Sequence, residues 1–386
     1  MSDDRFFEPG GPPAPLFEMA SRREFLQTMG AGLYVFFTLP AQKSDAQTPG
    51  EYPDDVNAYL HIDPSNRISC FTGKIEMGQG IITSLVQMLA EELDAAYGQV
   101  EIVMGATRIC PHDNAPVGSR STKYFGPALR QAAADARAVL LQLAAQKWNR
   151  PVERCYARQG LILDRDQAGR QSTFGELVKG RRLQKLSSAT AALKPVHEHR
   201  ISGKPSLRAD SKAKVTGAAP FTADVRLPGM LYAKILRPPA HGAKRLFCDT
   251  QAARAVPGVI VVEEPDMVAV LHEKPDVAEM ARSLIVARFE EPAAAMDSET
   301  LFEELLRQGT SSQTVLAKGD VARARTDAAV VLESRYYNHY VAHAPMEPHA
   351  ALVEVREDKV NVWASTQSPF RVRDSVAQTL GLARDK

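Results

Sequence analysis

The residues best suited to binding chemistry form a glycine-bracketed run, Gly73-Lys-Ile-Glu-Met-Gly-Gln-Gly80, between a predicted strand and a helix predicted from Ile81. Glycines let a backbone approach a ligand closely, because no Cβ intrudes. A helix N-terminus adds unpaired N–H groups and a partial positive charge, and Gln79 can both donate and accept hydrogen bonds. The run therefore fits a site for a phosphate or pyrophosphate, with a simple tight turn as the alternative.

A second polar run, Pro116-Val-Gly-Ser-Arg-Ser-Thr122, precedes a helix predicted from Gly126. It gathers three hydroxyls, one guanidinium and one glycine, which suits a second phosphate cradle. A polar loop that caps the following helix would have the same composition. Both interpretations stay open at this point.

Two more runs lie nearer the C-terminus. The stretch from His339 to His349 holds three histidines and Glu347, but two prolines prevent one helix from presenting them together as zinc ligands. Packing or a cofactor-facing loop is favoured there. Gln367 lies where a predicted strand ends and a helix begins, with Ser368 as the candidate N-cap and Pro369 at the first helical position.

The elements that position these runs mix helices and strands, so the predicted fold class is α+β. Alternation and turn residues predict strands, and apolar spacing of three to four residues predicts helices. The first unit has strands at 58–63, 67–72 and 100–104 and helices at 81–97 and 126–148. A second unit begins near Gly203, with a helix near 250–255, a strand at 259–262 and a charged helical stretch at 291–311. A third begins at 328, with strands at 330–337, 350–355 and 360–364 and a helix at 370–382.

Composition excludes several classes of protein. The 386 residues are 44% hydrophobic and 24% charged, with a net charge of +1, which fits a soluble globular chain of two or three domains without a nucleic-acid surface. The cysteines, Cys70, Cys110, Cys155 and Cys248, form no C-x-x-C pair. We therefore expect no iron–sulfur cluster in this chain.

The N-terminal segment has the parts of an export signal. The pair Arg22-Arg23 precedes Phe25-Leu26, a mostly apolar stretch runs from Met29 to Ala41, and small residues follow. The order predicts a twin-arginine-type signal over residues 1–46 and a periplasmic protein, with cleavage after Ala46 or, alternatively, after Ala41. The apolar stretch is short for a membrane-spanning helix, which needs about 20 residues. A chance arginine pair before a short buried helix is the other interpretation.

Taken in order, these runs resemble the molybdopterin-binding large subunits of the xanthine oxidase family. The resemblance is strongest to the exported branch that includes isoquinoline 1-oxidoreductase β subunits and related aldehyde dehydrogenases. It extends from about Ala58 to the end of the chain. The matching runs are Gly73–Gly80, Gly118–Ser121, Lys214–Gly217 with Asp224–Leu231, His343–Pro348 and Ser365–Pro369.

The resemblance implies a molybdopterin-binding domain split by an inserted α/β hammerhead domain. The first molybdopterin-binding segment would span residues 50–200 and the hammerhead domain 203–290. A linker over 291–327 would lead to the start of the second molybdopterin-binding segment at 328–386.

The resemblance also implies a cofactor and a reaction. Molybdenum would be held by molybdopterin cytosine dinucleotide, and the chain would act on an N-heterocycle or an aldehyde, with water as the oxygen source. Electrons would leave through an iron–sulfur small subunit or a cytochrome. Gln367 would lie near the oxygen ligand of the metal. The residues expected at the pterin or its phosphates are Gln79, Gly80, Gly118, Ser119 and Ser121.

The sequence departs from this family at its C-terminal end. The family continues into a Gly-Gly-Gly-Phe-Gly run and a later Gly-x-Gly-Glu segment that carries the catalytic base, and neither occurs here. We do not assign Glu76 as that base. The expectation is a C-terminally truncated subunit that is inactive alone and needs the remainder on another chain. The alternative is a non-catalytic fragment that only binds the cofactor or a partner subunit.

Overall fold

The computed structural model describes residues 30–37, 58–112, 118, 121–188, 190–292 and 297–386. The β-strands are β1 Gly32–Phe37, β2 Ala58–Ile62, β3 Ile68–Thr72, β4 Val100–Val103, β5 Cys155–Arg158, β6 Leu161–Asp164, β7 Gln171–Thr173, β8 Arg182–Leu186, β9 Tyr232–Ile235, β10 Lys244–Asp249, β11 Ile260–Glu263, β12 Val268–His272, β13 Val286–Glu290, β14 Ala351–Arg356 and β15 Lys359–Ala364. The α-helices are α1 Ile81–Leu93, α2 Gly126–Trp148, α3 Phe174–Val178, α4 Ser211–Val215, α5 Gln251–Arg254, α6 Pro275–Ser283, α7 Leu301–Gln308, α8 Val321–Asp327 and α9 Pro369–Leu380.

The described residues fall into two compact units. The first comprises the chain up to Val225 together with His349–Lys386, and the second comprises Arg226–Pro348. Both contain helices and strands, so the mixed class expected from the sequence is confirmed. Within the described part of the chain, no helix is both long enough and apolar enough to cross a membrane.

The first unit is built on a five-stranded sheet in the order β4-β3-β2-β1-β8. Strands β1, β2 and β3 run antiparallel to one another in turn, whereas β4 and β8 lie parallel to β3 and β1. The β2–β3 turn forms because the Asp63 carboxylate accepts the N–H groups of Ser65 and Arg67, both at 2.9 Å, while Asn66 adopts a positive φ. The strands predicted at 58–63 and 67–72 are confirmed within a residue at each end.

Helices α1 and α2 cover one face of this sheet and enclose the main core. Leu85 and Leu89 of α1 and Leu129 of α2 are fully buried with the inward side chains of the sheet. Each such side chain contributes about 1.5–3 kcal/mol by leaving water. Helix α2 has the predicted bounds, whereas α1 stops at Leu93 because Asp94 turns left-handed, with φ 56°.

The second unit has a smaller core. Strands β11, β12 and β9 form an antiparallel sheet, β10 pairs with β13, and α5 and α6 contribute buried alanines. Of the charged stretch 291–311, the structure forms a helix only at Leu301–Gln308 among the residues it describes.

One predicted strand is wrong. Residues 328–349 contain no helix or strand, so the strand expected at 330–337 is absent. Its side chains lie open to solvent, with Leu332 89% exposed and Tyr336 91% exposed. An alternating apolar pattern forms a strand only where a neighbour completes the hydrogen-bond ladder, and no described strand lies beside this segment.

The predicted leader contributes a strand to the sheet. Residues 1–29 and 38–46 lie outside the described residues, but Gly32–Phe37 forms β1 between β2 and β8. Of the apolar stretch interpreted as a signal core, the described residues 30–37 therefore belong to the first unit, where β1 is largely buried. Export itself stays a prediction.

Candidate cofactor site

The glycine-bracketed run forms a loop that is closed around its own carboxylate. Glu76 Oε1 accepts the backbone N–H groups of Gly78 at 2.8 Å and Gly80 at 2.9 Å, and Oε2 accepts that of Ile82 at 3.1 Å. These include the amide groups that were predicted to bind a phosphate. The Glu76 carboxylate already satisfies them. It can reach them because Glu76 lies only a few residues before α1, whose N-terminal N–H groups attract negative charge. A ligand anion would meet these amides only by displacing Glu76.

The outer surface of the loop stays open. Gly78 and Gly80 have left-handed backbones, with φ 97° and 81°, which glycine adopts without strain. A Cβ added at Gly78 would meet no atom within 4 Å. The backbone of Gly78 is thus accessible to a ligand from outside, as a cofactor-facing loop requires.

Gln79 braces the loop from within. Its side-chain oxygen accepts the N–H of Met77 at 2.5 Å, and its amide nitrogen donates to the carbonyl of Ile75 at 2.9 Å. The residue as a whole is exposed. One amide hydrogen and one oxygen lone pair of this side chain are not used by these two bonds, so the predicted contact of Gln79 with the pterin, which stays a prediction, is compatible with both.

Arg208 is the residue at this loop that sequence reasoning missed. Its Nη1 donates to the Gly78 carbonyl at 2.7 Å, and its Nη2 donates to Glu76 Oε1 at 3.2 Å. Asp210 holds the guanidinium in place through Arg208 Nε at 2.5 Å, and this hydrogen bond, followed by Lys214, keeps the pKa of Asp210 well below its usual range. Only the tertiary fold brings Arg208 here, since 130 residues separate it from Gly78.

The second polar run supplies a buried hydroxyl. Ser121 begins a single π-helical turn, Ser121–Phe125, which leads directly into α2 and lies against α1. Its Oγ is buried and has no hydrogen-bond partner in the described part of the chain. Gly118 has a left-handed φ of 60°, and Ser119 lies outside the described residues. A buried hydroxyl without a partner costs free energy unless a ligand pairs with it, so Ser121 fits a bound polar group.

Gln367 lies between β15 and α9 and is exposed. Helix α9 begins at Pro369 after Ser368, as predicted, although the Ser368 side chain does not cap it. This segment joins the rest of its unit through Arg108, which donates to Asn361 at 3.1 Å. The ring of Phe370 also lies 5.0 Å from that of His112. No hydrogen bond in the described residues links Gln367 to Gln79 or Ser121.

Buried carboxylates fix the segment that leads to Arg208. Glu91 Oε2 accepts the N–H groups of Arg200, Ile201 and Ser202 at 2.8, 2.6 and 3.0 Å. Asp135 of α2 accepts Ser187 Oγ at 2.6 Å. These acids hold residues 187–188 and 190–202 against the two core helices. Neither acid was identified from the sequence, because their partners are distant in the chain.

The histidine-rich run gives no metal geometry. His339 packs edge-on against Phe302, with ring centroids 4.8 Å apart. Among the residues that the structure describes, no three His, Cys, Asp or Glu side chains are grouped to hold a metal ion.

Comparison with known proteins identifies the family. A model of the molybdopterin cofactor-binding domain matches residues 18–219, and a second one of that description matches 306–386. The chain is 30% identical over 375 residues to a nicotinate dehydrogenase subunit of Pseudomonas putida, covering 94% of this chain and 31% of that protein. It is 29% identical over 433 residues to the β subunit of isoquinoline 1-oxidoreductase of Brevundimonas diminuta, covering 97% and 55%.

A third relative is a membrane-bound aldehyde dehydrogenase [pyrroloquinoline-quinone] of Gluconacetobacter polyoxogenes, 26% identical over 390 residues, covering 95% of this chain and 50% of that protein. The chain therefore spans about a third to about a half of the length of these relatives. Because the first domain model alone covers more than half of the 386 residues, the chain belongs to the molybdopterin cofactor-binding family and is related to the molybdenum-binding subunits of the xanthine oxidase family.

Proposed function

We propose that this chain is the molybdopterin-binding part of a molybdenum hydroxylase that oxidises an N-heterocycle or an aldehyde with water as the oxygen source. The relatives named for nicotinate, isoquinoline and aldehydes support this range of substrates. The observation that carries the proposal is the buried, unpartnered hydroxyl of Ser121, together with the open glycine loop before α1.

The residues present fit a molybdopterin cofactor, for which we propose the cytosine dinucleotide form. When bound, that group would supply the redox chemistry at carbon. In this proposal Ser121 binds a polar group of the cofactor, and Gly118 and Gly80 let the backbone approach its phosphates. Ser119, Gln79 and Gln367 remain proposed contacts.

The charges around the loop have a positioning role. Glu76 holds the backbone N–H groups of the loop, and Arg208 places a cation at its edge, 2.7 Å from the Gly78 carbonyl. Because two carboxylates already hold the guanidinium, the Arg208 side chain has little rotamer entropy left to lose when a ligand binds. Because Glu76 and Asp210 already neutralise this guanidinium, Arg208 acts in this proposal by fixing the shape of the loop.

A second candidate function has one observation in its favour. Every described carboxyl group with a resolved pKa shift has its pKa lowered, with hydrogen-bond donors or cations outweighing burial; the most buried examples are Glu91 and Asp135. A general base works best with a pKa near the working pH. None of these nine acids has the raised pKa typical of a general base, which agrees with a chain that binds the cofactor or a partner as the second candidate.

Partners and a location are also part of this proposal. Residues 328–348 expose large apolar side chains, among them Tyr336 and Met346, which suits coverage by the remainder of the large subunit. We propose an iron–sulfur subunit or a cytochrome as the electron acceptor and the periplasm as the location. The second compact unit, Arg226–Pro348, contains most of the proposed hammerhead domain of residues 203–290.

Isotope labelling tests the proposed reaction. The chain is isolated with its copurifying subunits and given nicotinate or isoquinoline in ¹⁸O-labelled water with a dye as electron acceptor. Turnover of benzaldehyde is followed separately by dye reduction, because aldehydes exchange their oxygen with water. We expect label in the hydroxylated product. Turnover that leaves the product unlabelled would contradict the hydroxylase proposal, and bound molybdenum without any turnover would favour the second candidate.

A further inference from the structure

Strand β1 lies inside the predicted leader, yet it is an interior strand of the main sheet. It pairs antiparallel with β2 along one edge and parallel with β8 along the other, over five residue pairs each. Backbone bonds extend beyond the ladder, from the Gly32 N–H to the Arg181 carbonyl and from the Ser187 N–H to the Phe36 carbonyl, both at 2.7 Å. Both hydrogen-bonding edges of the segment are therefore used.

The inward face of β1 is part of the core. Leu33, Val35 and Phe37 are at most 2% exposed and lie in the cluster formed with α1 and α2. The ring of Phe37 lies 5.8 Å from that of Phe125. Phe125 ends the π-helical turn that begins at Ser121, so β1 supports the candidate cofactor site directly.

The opposite face is also packed. The Tyr34 ring stacks on His61 with centroids 4.4 Å apart, and its hydroxyl donates to the Gly30 carbonyl at 2.9 Å. Burial raises the pKa of Tyr34 to about 12. At Gly32 a Cβ would lie 2.5 Å from His61 Nε2 and 2.7 Å from the Ile62 carbonyl oxygen, so only glycine permits this approach. Close packing on both faces is typical of a permanent core element.

Cleavage at the positions predicted from the sequence would remove this strand. A chain that begins at Gln42 or Gln47 would leave β8 without its neighbour in the sheet and would expose an edge of β2. Unpaired backbone groups and an opened core would together cost much of the stability of a typical domain.

We infer that the mature, folded protein retains Gly32–Phe37 as β1, so that any processing of the N-terminal segment takes place before Gly30. Processing after Ala41 or Ala46 is incompatible with this fold. The inference concerns the folded chain and does not depend on the proposed reaction.

The first test is N-terminal sequencing with intact-mass measurement of the full gene product. The folded, protease-resistant chain is recovered separately from the periplasmic and cytoplasmic fractions of an expressing bacterium. We expect a first residue at or before Gly30 in each folded fraction. A folded chain that starts at Gln42 or Gln47 would overturn the inference.

The second test compares two leucines of neighbouring strands. Leu33→Ala should lower the Tm of the purified chain by roughly 5–15 °C, because it leaves a cavity in the core. Leu33→Val should give a smaller fall, which keeps the test valid if the alanine variant does not fold.

Leu186→Ala is the matched control, because Leu186 of β8 is 62% exposed, and its Tm should change by less than about 2 °C. An unchanged Tm in both Leu33 variants would overturn the inference. Neither test measures molybdenum, so a failure here is separate from a failure of the proposed function.

Discussion

At the scale of single residues, two buried acids of the core helices, Glu91 and Asp135, accept backbone N–H groups. Burial alone would raise the pKa of Glu91, but the N–H groups of Ile201, Ser202 and Arg200, aided by Lys194, outweigh it and hold the pKa below its usual range. Glu91 is 1% exposed, so these bonds are shielded from water. Stability should consequently depend on its ionised form.

Glu91→Gln tests that dependence. Since the folded pKa lies below the unfolded one, the stabilisation is fully present above the unfolded pKa, about 4.3, and is lost as pH falls through the folded pKa. At pH 7 we expect the variant to lose about 1–3 kcal/mol in the free energy of unfolding by urea denaturation. Below about pH 4 the difference from the wild type should shrink.

The control for this measurement is Glu303→Gln, in the first turn of α7. It should change stability by less than about 0.5 kcal/mol at either pH. A Glu91 effect of equal size at pH 7 and at low pH would show that the charge of the carboxylate does not matter.

At the scale of elements, the loop before α1 is held from two sides. Glu76 satisfies its N–H groups, and Arg208, in the segment 190–210, holds the Gly78 carbonyl. The loop thus has one defined shape before any ligand binds. Preorganisation of this kind reduces the ordering cost of binding.

Arg208→Ala should loosen the loop without unfolding the unit. We expect the amide hydrogens of Gly78 and Gly80 to exchange about tenfold faster, measured by hydrogen–deuterium exchange of the peptide that covers 73–82. Arg208→Lys should give an intermediate rate, since an ammonium cannot make the forked contacts of a guanidinium. Arg67→Ala, at a largely exposed side chain, should leave the loop unchanged. Equal exchange in the alanine variant and the wild type would contradict a bracing role.

Helices and strands could be predicted from the sequence where the pattern that defines them lies within the segment itself. Strands β2 and β3 follow from alternation around a turn, and α2 follows from its apolar spacing, because each pattern is complete within its own segment. The strand predicted at 330–337 is wrong because a strand also needs a neighbour. The role of β1 was missed because an apolar stretch after two arginines matches a signal core, although Tyr34, Val35 and Phe36 are equally typical of a strand.

The site was predictable only in part, for the same reason. The two polar runs were identified from glycines and hydroxyls, and the unpartnered hydroxyl of Ser121 supports one of them. That Glu76 occupies the amides of its own loop is a short-range contact that residue types alone did not reveal. Arg208 and Glu91 depend on contacts across more than a hundred residues, which no local pattern records.

At the scale of the whole molecule, two stretches carry the family likeness. Residues 18–219 and 306–386 each match a molybdopterin cofactor-binding model, on either side of the middle of the chain. The order of five short runs along the sequence indicates the same family. Each run is weak alone, but their common order is improbable by chance.

The cofactor content of the full chain, isolated with its copurifying subunits from a host that makes molybdopterin, most directly tests the assignment of the site. Molybdenum is measured by mass spectrometry and the pterin by fluorescence after oxidation. The wild type should contain both, and Ser121→Ala should retain about three- to tenfold less after dialysis, as expected for one lost hydrogen bond. Ser283→Ala, at an exposed serine of the second unit, should match the wild type. Absence of molybdenum and pterin from the wild type, or equal retention in the Ser121 variant, would contradict the assignment of this site.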